Sequence, residues 1–263
     1  MDHFVDERDY KLLEGDKYTF FVLRRIIDGP CKLLLSDHER LIICFSEEPY
    51  PTWIWTPDDV TEEEMENAYL LLKENNLITE EHTFNMKYEL LDYFINRALK
   101  DGISLALKLN MYAYDCFKPL QPKKTAEGEI CKCEREHTEE LADFIEAFHE
   151  ETGVDRMDRA GCLEHAKVKI EEGKTFFWKD GQGNHVASCS YNLQGELASV
   201  NLVYTKPEHR RKHYAEHLVY QVSKLVTDAG YIPMLYTNAD YKASNACYEK
   251  IGYVLRGKLC SVG

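Results

Sequence analysis

Residues 198–230 read ASVNLVYTKPEHRRKHYAEHLVYQVSKLVTDAG, and the fold is decided by how that stretch is parsed. Its first third is an apolar strand over 199–206. A basic turn, 207–214, follows and sets Arg210, Arg211 and Lys212 just before a helix begins. Ala215, Leu218, Val219, Val222, Leu225, Val226 and Ala229 recur at helical spacing for four turns, so the pattern predicts a helix that buries them and stops at Gly230. A helix start carries unpaired backbone N–H groups and the positive end of the macrodipole. Three cations added there suit a phosphorylated ligand, although a solvated basic turn uses the same residues.

Working outward, 232–238 predicts a further strand, 243–251 a short helix closed by Gly252, and 253–262 a last strand. Upstream, 129–134 reads as a strand, and Thr138 as the cap of a helix with Leu141, Phe144, Ile145 and Phe148 on one face. A second helix spans 159–172 and ends at Gly173. Strands at 174–179 and 185–192 flank DGQGN at 180–184, which is hairpin chemistry.

PLQPKKTAEGE, 119–129, is the clearest boundary in the chain. It divides an N-terminal α+β domain, 1–120, from a linker, 121–128, and a C-terminal domain, 129–263. In the first domain, strands are expected at 32–35, 41–45 and 52–55, the first two forming a hairpin across 37–40. Trp53 and Trp55 share one strand face, a core or interface arrangement. Thr61 and Glu64 form a capping box opening a helix to about residue 75, and a second helix is expected over 85–100. No internal repeat is visible in the sequence itself.

At this point two motifs resemble the GNAT superfamily of acyl-CoA-dependent N-acyltransferases. VYTKPEHRRKHYA, 203–215, is similar to the stretch that cradles coenzyme A, and SNACYEKIGY, 244–253, to the S-N-x-x-Y-x-x-x-G-[FY] stretch. The likeness runs from residue 127 to the end. It implies an α+β fold with a mixed, mostly antiparallel sheet flanked by helices, and an N-terminal domain that is either a degenerate copy of that fold or an unrelated α+β unit. It implies acetyl-CoA as cosubstrate, a primary amine on a small molecule or peptide as acceptor, direct attack in a ternary complex, and no metal.

Residue by residue, the resemblance assigns the cofactor to Val203, Tyr204, Thr205, Arg210, Arg211, Lys212, His213, Tyr214, Ala215, Asn238 and Asn245. Tyr248 is the implied acid that protonates the leaving thiolate. Glu196 is the nearest carboxylate to the position of a general base, and a surface turn beside Gly195 is its alternative. Asn245 serves equally as a cap of its own helix. His213 stands where the motif has glycine; its Cβ could crowd the pyrophosphate and weaken coenzyme A binding, although at a helix start ordinary helical angles could serve instead. That substitution sustains a second expectation, a non-catalytic module binding coenzyme A or a partner.

Charge and composition narrow the classes further. A net charge of −14 disfavours a nucleic-acid partner, and no apolar run is long enough to suggest a membrane span. The first ten residues have neither a basic nor an apolar signal region. With nine cysteines at irregular spacing, free thiols in the cytoplasm are expected. Cys131 and Cys133, with His137 nearby, read as strand packing rather than a metal site.

Overall fold

A computed structural model of the chain describes residues 1–153 and 157–263. In order, the elements are α1 (Glu7–Glu14), α2 (Phe21–Ile26), β1 (Leu33–Ser36), β2 (Ile42–Phe45), β3 (Thr52–Trp55), α3 (Glu62–Glu74), β4 (Phe84–Met86), α4 (Leu91–Lys100), β5 (Leu107–Asp115) and β6 (Glu129–Lys132). There follow α5 (Thr138–Thr152), α6 (Arg159–Glu172), β7 (Thr175–Lys179), β8 (His185–Gln194), β9 (Leu197–Thr205), α7 (Tyr214–Asp228), β10 (Ile232–Asn238), α8 (Lys242–Lys250) and β11 (Val254–Val262). The fold is α+β, its strands mostly antiparallel and flanked by helices.

Two compact units emerge: Met1–Tyr114 with Tyr236–Tyr241 and Leu255–Gly263, and Asp115–Leu235 with Lys242–Val254. In the first, β1, β2 and β3 form an antiparallel meander, β4 lies parallel to β3, and β11 pairs antiparallel with β4 at Cys260↔Met86. One sheet face packs Leu35, Ile43, Ile54 and Phe84 against Tyr69, Leu72 and Phe94 of α3 and α4. On the other face Ile42, Cys44, Trp53 and Trp55 pack against Leu13, Phe20 and Leu23. Side chains alternate along a strand, so Trp53 and Trp55 necessarily share that second face.

The second unit repeats the plan. β7, β8 and β9 form a meander, β10 runs parallel to β9, and β6 adds an edge on β7. Phe144 and Ile145 of α5, with Cys162 and Ile170 of α6, cover Phe177 and Leu202 on one face. The buried stripe Leu218, Val219, Val222 and Val226 of α7 serves the rest of this unit's core. The element order α–α–β–β–β–α–β–α–β therefore occurs twice, from α1 to β5 and from α5 to β11. It is a repeat of order with no counterpart in the letters.

Several expectations need correction. Residues 85–90 are not helical: β4 and a short 3₁₀ turn, Tyr88–Leu90, precede α4, because Phe84 and Met86 are buried in the sheet. Thr138 is the first residue inside α5 rather than its cap, and its hydroxyl donates to the Arg135 carbonyl at 2.7 Å. Leu225 is 46% exposed and Ala229 exposed, so the apolar stripe of α7 is narrower than its periodicity implies. β5, α1 and α2 had no sequence assignment. No helix among the described residues is long and apolar enough to cross a membrane.

Candidate active site

β9 and the corner that follows it organise the site. Pairing between β9 and β10 covers Ile232↔Leu197, Pro233↔Ala198 and Met234↔Ser199. Among the described residues it goes no further, whereas β8 follows β9 as far as Thr205. A bulge explains the divergence. The β8–β9 register slips between Ser188 and Ser190, Leu202 takes a left-handed φ of 52°, and its carbonyl accepts the Ser188 hydroxyl at 3.0 Å. An extra residue in one strand bends it and sharpens its twist. The edge of β9 over 200–205, including Val203, Tyr204 and Thr205, is thereby left without a strand partner on the β10 side.

β9 then enters a 3₁₀ turn, Pro207–His209, and a corner in which Arg211 (φ 61°) and His213 (φ 64°) are both left-handed. Of the two alternatives at His213, ordinary helical backbone is therefore not the one adopted. The residue occupies the conformation that a glycine adopts without steric cost, which explains why the motif carries one there. As N-cap of α7, His213 makes no side-chain cap bond. Its Nδ1 lies instead 3.1 Å from the Glu216 carboxylate, itself 7% exposed. The first amides of α7, from Tyr214, Ala215 and Glu216, open onto a backbone corner suited to an anion.

Arg210 is engaged on three sides. Its Nε donates to the Thr205 carbonyl at 3.0 Å, its Nη2 to the Glu151 carboxylate of α5, and its guanidinium lies 5.6 Å from the Tyr204 ring centroid. Arg211 and Lys212 are exposed. A cavity of about 410 Å³ in this unit is lined by Glu146, His149, Glu150 and Met157.

α8 packs on α7, and burial together with the nearby Glu216 charge pushes the Cys247 thiol up to about 12. A thiol so raised is not a nucleophile at neutral pH. Tyr248, 7% exposed, sets its ring 5.8 Å from that of Tyr253. The Tyr253 hydroxyl shares a 2.7 Å hydrogen bond with Ser223 of α7, and burial drives its pKa far above the phenol range. Tyr253 is therefore a support, and Tyr248 follows Asn245, also 7% exposed, by three residues on α8. Gly252 is fixed by contact: with φ 99°, a Cβ there would meet the Lys118 carbonyl at 2.6 Å.

The structure thus gathers Val203, Tyr204, Thr205, Arg210, Arg211, Lys212, His213, Tyr214 and Ala215 around one corner of the second unit. Asn245 and Tyr248 lie in the same unit on α8. Glu196 is elsewhere: it is exposed in the β8–β9 turn, at the opposite end of β9 from Arg210. Asn238 ends β10 in the first unit, its Oδ1 accepting the Asp240 N–H at 2.9 Å. Two partners escaped sequence reading. His213 and Glu216 show helical i, i+3 spacing that could have revealed the pair, whereas Glu151 is 59 residues from Arg210 and left no local signal.

Residues 177–262 match the family described as FR47-like protein. No curated protein matches the sequence. Among solved structures, the chain is similar to a GCN5-related N-acetyltransferase from Sphaerobacter thermophilus, at 10% identity and a TM-score of 0.61 over 87% of this chain and 81% of that one. A GCN5-related N-acetyltransferase from Kribbella flavida gives 13% identity and 0.58 over 94% and 93%. A GNAT-family acetyltransferase from Colwellia psychrerythraea gives 13% and 0.57 over 85% and 80%. At these identities the structural likeness speaks for the fold, and the FR47-like match adds the C-terminal segment. In fold, then, this chain is similar to GNAT acetyltransferases, and its C-terminal segment matches the FR47-like family.

Proposed function

We propose that this chain is a cytoplasmic N-acyltransferase that moves an acetyl group from acetyl-CoA to a primary amine. One observation carries the reading: β9 parts from β10 after Ser199 and runs into a doubly left-handed corner at the start of α7. In this reading the amides of Tyr214–Glu216 hold the pyrophosphate, with Arg210, Arg211 and Lys212 adding charge. The open edge of Val203–Thr205 pairs with the pantetheine arm as an added strand would. The cosubstrate supplies an activated acyl thioester; the protein's part is to align it with the amine and exclude water. Tyr248 gives its phenolic proton to the departing thiolate. Glu196, exposed just before β9, is the carboxylate this reading keeps as candidate for taking the ammonium proton.

We further propose that the first unit is a degenerate copy of the second. Its corner between β3 and α3 carries Asp58, Asp59, Glu62, Glu63 and Glu64 where the second unit carries cations. Such a corner repels a pyrophosphate. A second reading, a module that binds without turnover, draws support from the carboxylates that occupy Arg210 and His213. An amine panel with acetyl-CoA, read by release of free thiol, separates the two. Thiol release that falls about 10²-fold in Tyr248→Phe, with coenzyme A affinity kept, supports catalysis; no release with any amine overturns it.

A further inference from the structure

We propose that Cys31 and Cys44 form a redox-active dithiol, a site of reversible disulfide formation in the first unit. Their sulfurs lie 3.2 Å apart. Cys31 sits in the connection between α2 and β1 and is partly exposed, whereas Cys44, on β2, is 0% exposed. A disulfide needs a sulfur separation of about 2.05 Å, so the two atoms must approach by roughly 1.2 Å, within the reach of side-chain rotation and a small loop adjustment. The loop side can supply that adjustment, since Cys31 lies outside β1, while Cys44 is fixed opposite Leu34 in the β1–β2 ladder.

The two thiols divide the work by environment. Cys44 is surrounded by the apolar side chains of Ile42, Trp53 and Trp55. Burial and the neighbouring Cys31 push its thiol well above the ordinary range, so it does not meet an oxidant as a thiolate. Cys31 has solvent access, and its sulfur rests 3.1 Å from the Ile26 carbonyl and 3.5 Å from that of Gly29. Cys31 is the attacking sulfur and Cys44 the resolving one.

The oxidant is a hydroperoxide. The Cys31 thiol, which donates to the Ile26 carbonyl, gives its proton to solvent and the sulfur attacks the distal peroxide oxygen; the O–O bond breaks, the departing alkoxide or hydroxide takes up a proton to leave as alcohol or water, and Cys31 becomes a sulfenic acid. The Cys44 sulfur then attacks the Cys31 sulfur, its thiol proton passing to the departing hydroxyl; the S–O bond breaks, water leaves and the S–S bond forms. In sum, two thiols and one hydroperoxide give one disulfide, one alcohol and one water, two electrons passing from sulfur to oxygen. A small dithiol reverses the step by exchange.

The test uses the full chain treated with one equivalent of hydrogen peroxide. The expected product is 2 Da lighter, yields a linked peptide pair containing Cys31 and Cys44, and reverts with dithiothreitol. Cys31→Ser should not lose the 2 Da. In Cys44→Ser, Cys31 should stop at the sulfenic acid and be trapped by dimedone; because Cys44 is buried, Cys44→Ala serves as a second variant, with circular dichroism confirming its fold. Cys131→Ser should behave as the parent. A linked peptide joining other cysteines, or a parent protein in which Cys31 is oxidised by addition of oxygen while Cys44 stays a free thiol, overturns the proposal.

Discussion

Replacing Glu151 by glutamine should strengthen coenzyme A binding, and the structure bounds by how much. Arg210 cannot offer its guanidinium fully to a phosphate while Glu151 holds it, so binding must first weaken that pair. The two side chains are 33% and 38% exposed, which places the interaction among solvent-screened surface ion pairs. Such pairs contribute about 0.2–1 kcal/mol, and removing the competitor should tighten binding by roughly 1.4- to 5-fold. Isothermal titration of coenzyme A into parent, Glu151→Gln, Arg210→Ala and the double variant forms a closed cycle. Arg210→Ala alone should weaken binding by about tenfold, the loss of a charge-assisted bond. In the Arg210→Ala background the Glu151 substitution should have no effect. Equal tightening by Glu151→Gln in both backgrounds would refute the competition and leave only a general gain from removing negative charge.

Three further outcomes follow from particular residues. Gly252→Ala should destabilise the chain by about 2–5 kcal/mol, the sum of a left-handed backbone penalty and an overpacked contact with the Lys118 carbonyl; an unchanged urea midpoint would contradict the close approach. Titration should find one coenzyme A per chain, because the acidic corner after β3 excludes a second; a stoichiometry of two would contradict that division. His38 should make stability pH-dependent. Its Nδ1 lies 2.7 Å from Asp9 and its Nε2 3.0 Å from Asp2, with Asp6 at 3.9 Å and Arg8 opposing, and the hydrogen bond to Asp9 raises its pKa. A raised folded pKa stabilises fully below the unfolded value, about 6.5, and the contribution disappears as pH climbs through the folded value. The difference in urea midpoint between parent and His38→Gln should therefore shrink from pH 5 to pH 9; a constant difference would contradict it.

What the sequence disclosed was what short-range physics controls. The Thr61–Glu64 capping box, the Asp180 turn and the Gly173 stop all act within a few residues, and each stands in the structure where its chemistry put it. β3 was legible to the residue. Residues 85–90 failed for the opposite reason: Phe84 and Met86 are held in β4 by neighbours from β3 and β11, and helical spacing downstream masked them. The corner was legible as basic, since three cations in a row need no partner to be seen. Its partner Glu151 was not, because it arrives from another helix, and the left-handed angle of His213 is a property of the corner rather than of histidine. The element repeat is invisible in the letters because burial constrains only apolar character, which many sequences satisfy.

The most direct test of the central claim is a titration of coenzyme A into isotopically labelled protein, followed by backbone amide NMR. Binding at the corner should move the amides of 211–217 most, with those of 203–205 moving as the pantetheine arm pairs with β9. If those amides stay still at millimolar ligand while others shift, or nothing shifts, the corner does not hold the cosubstrate and the account is wrong.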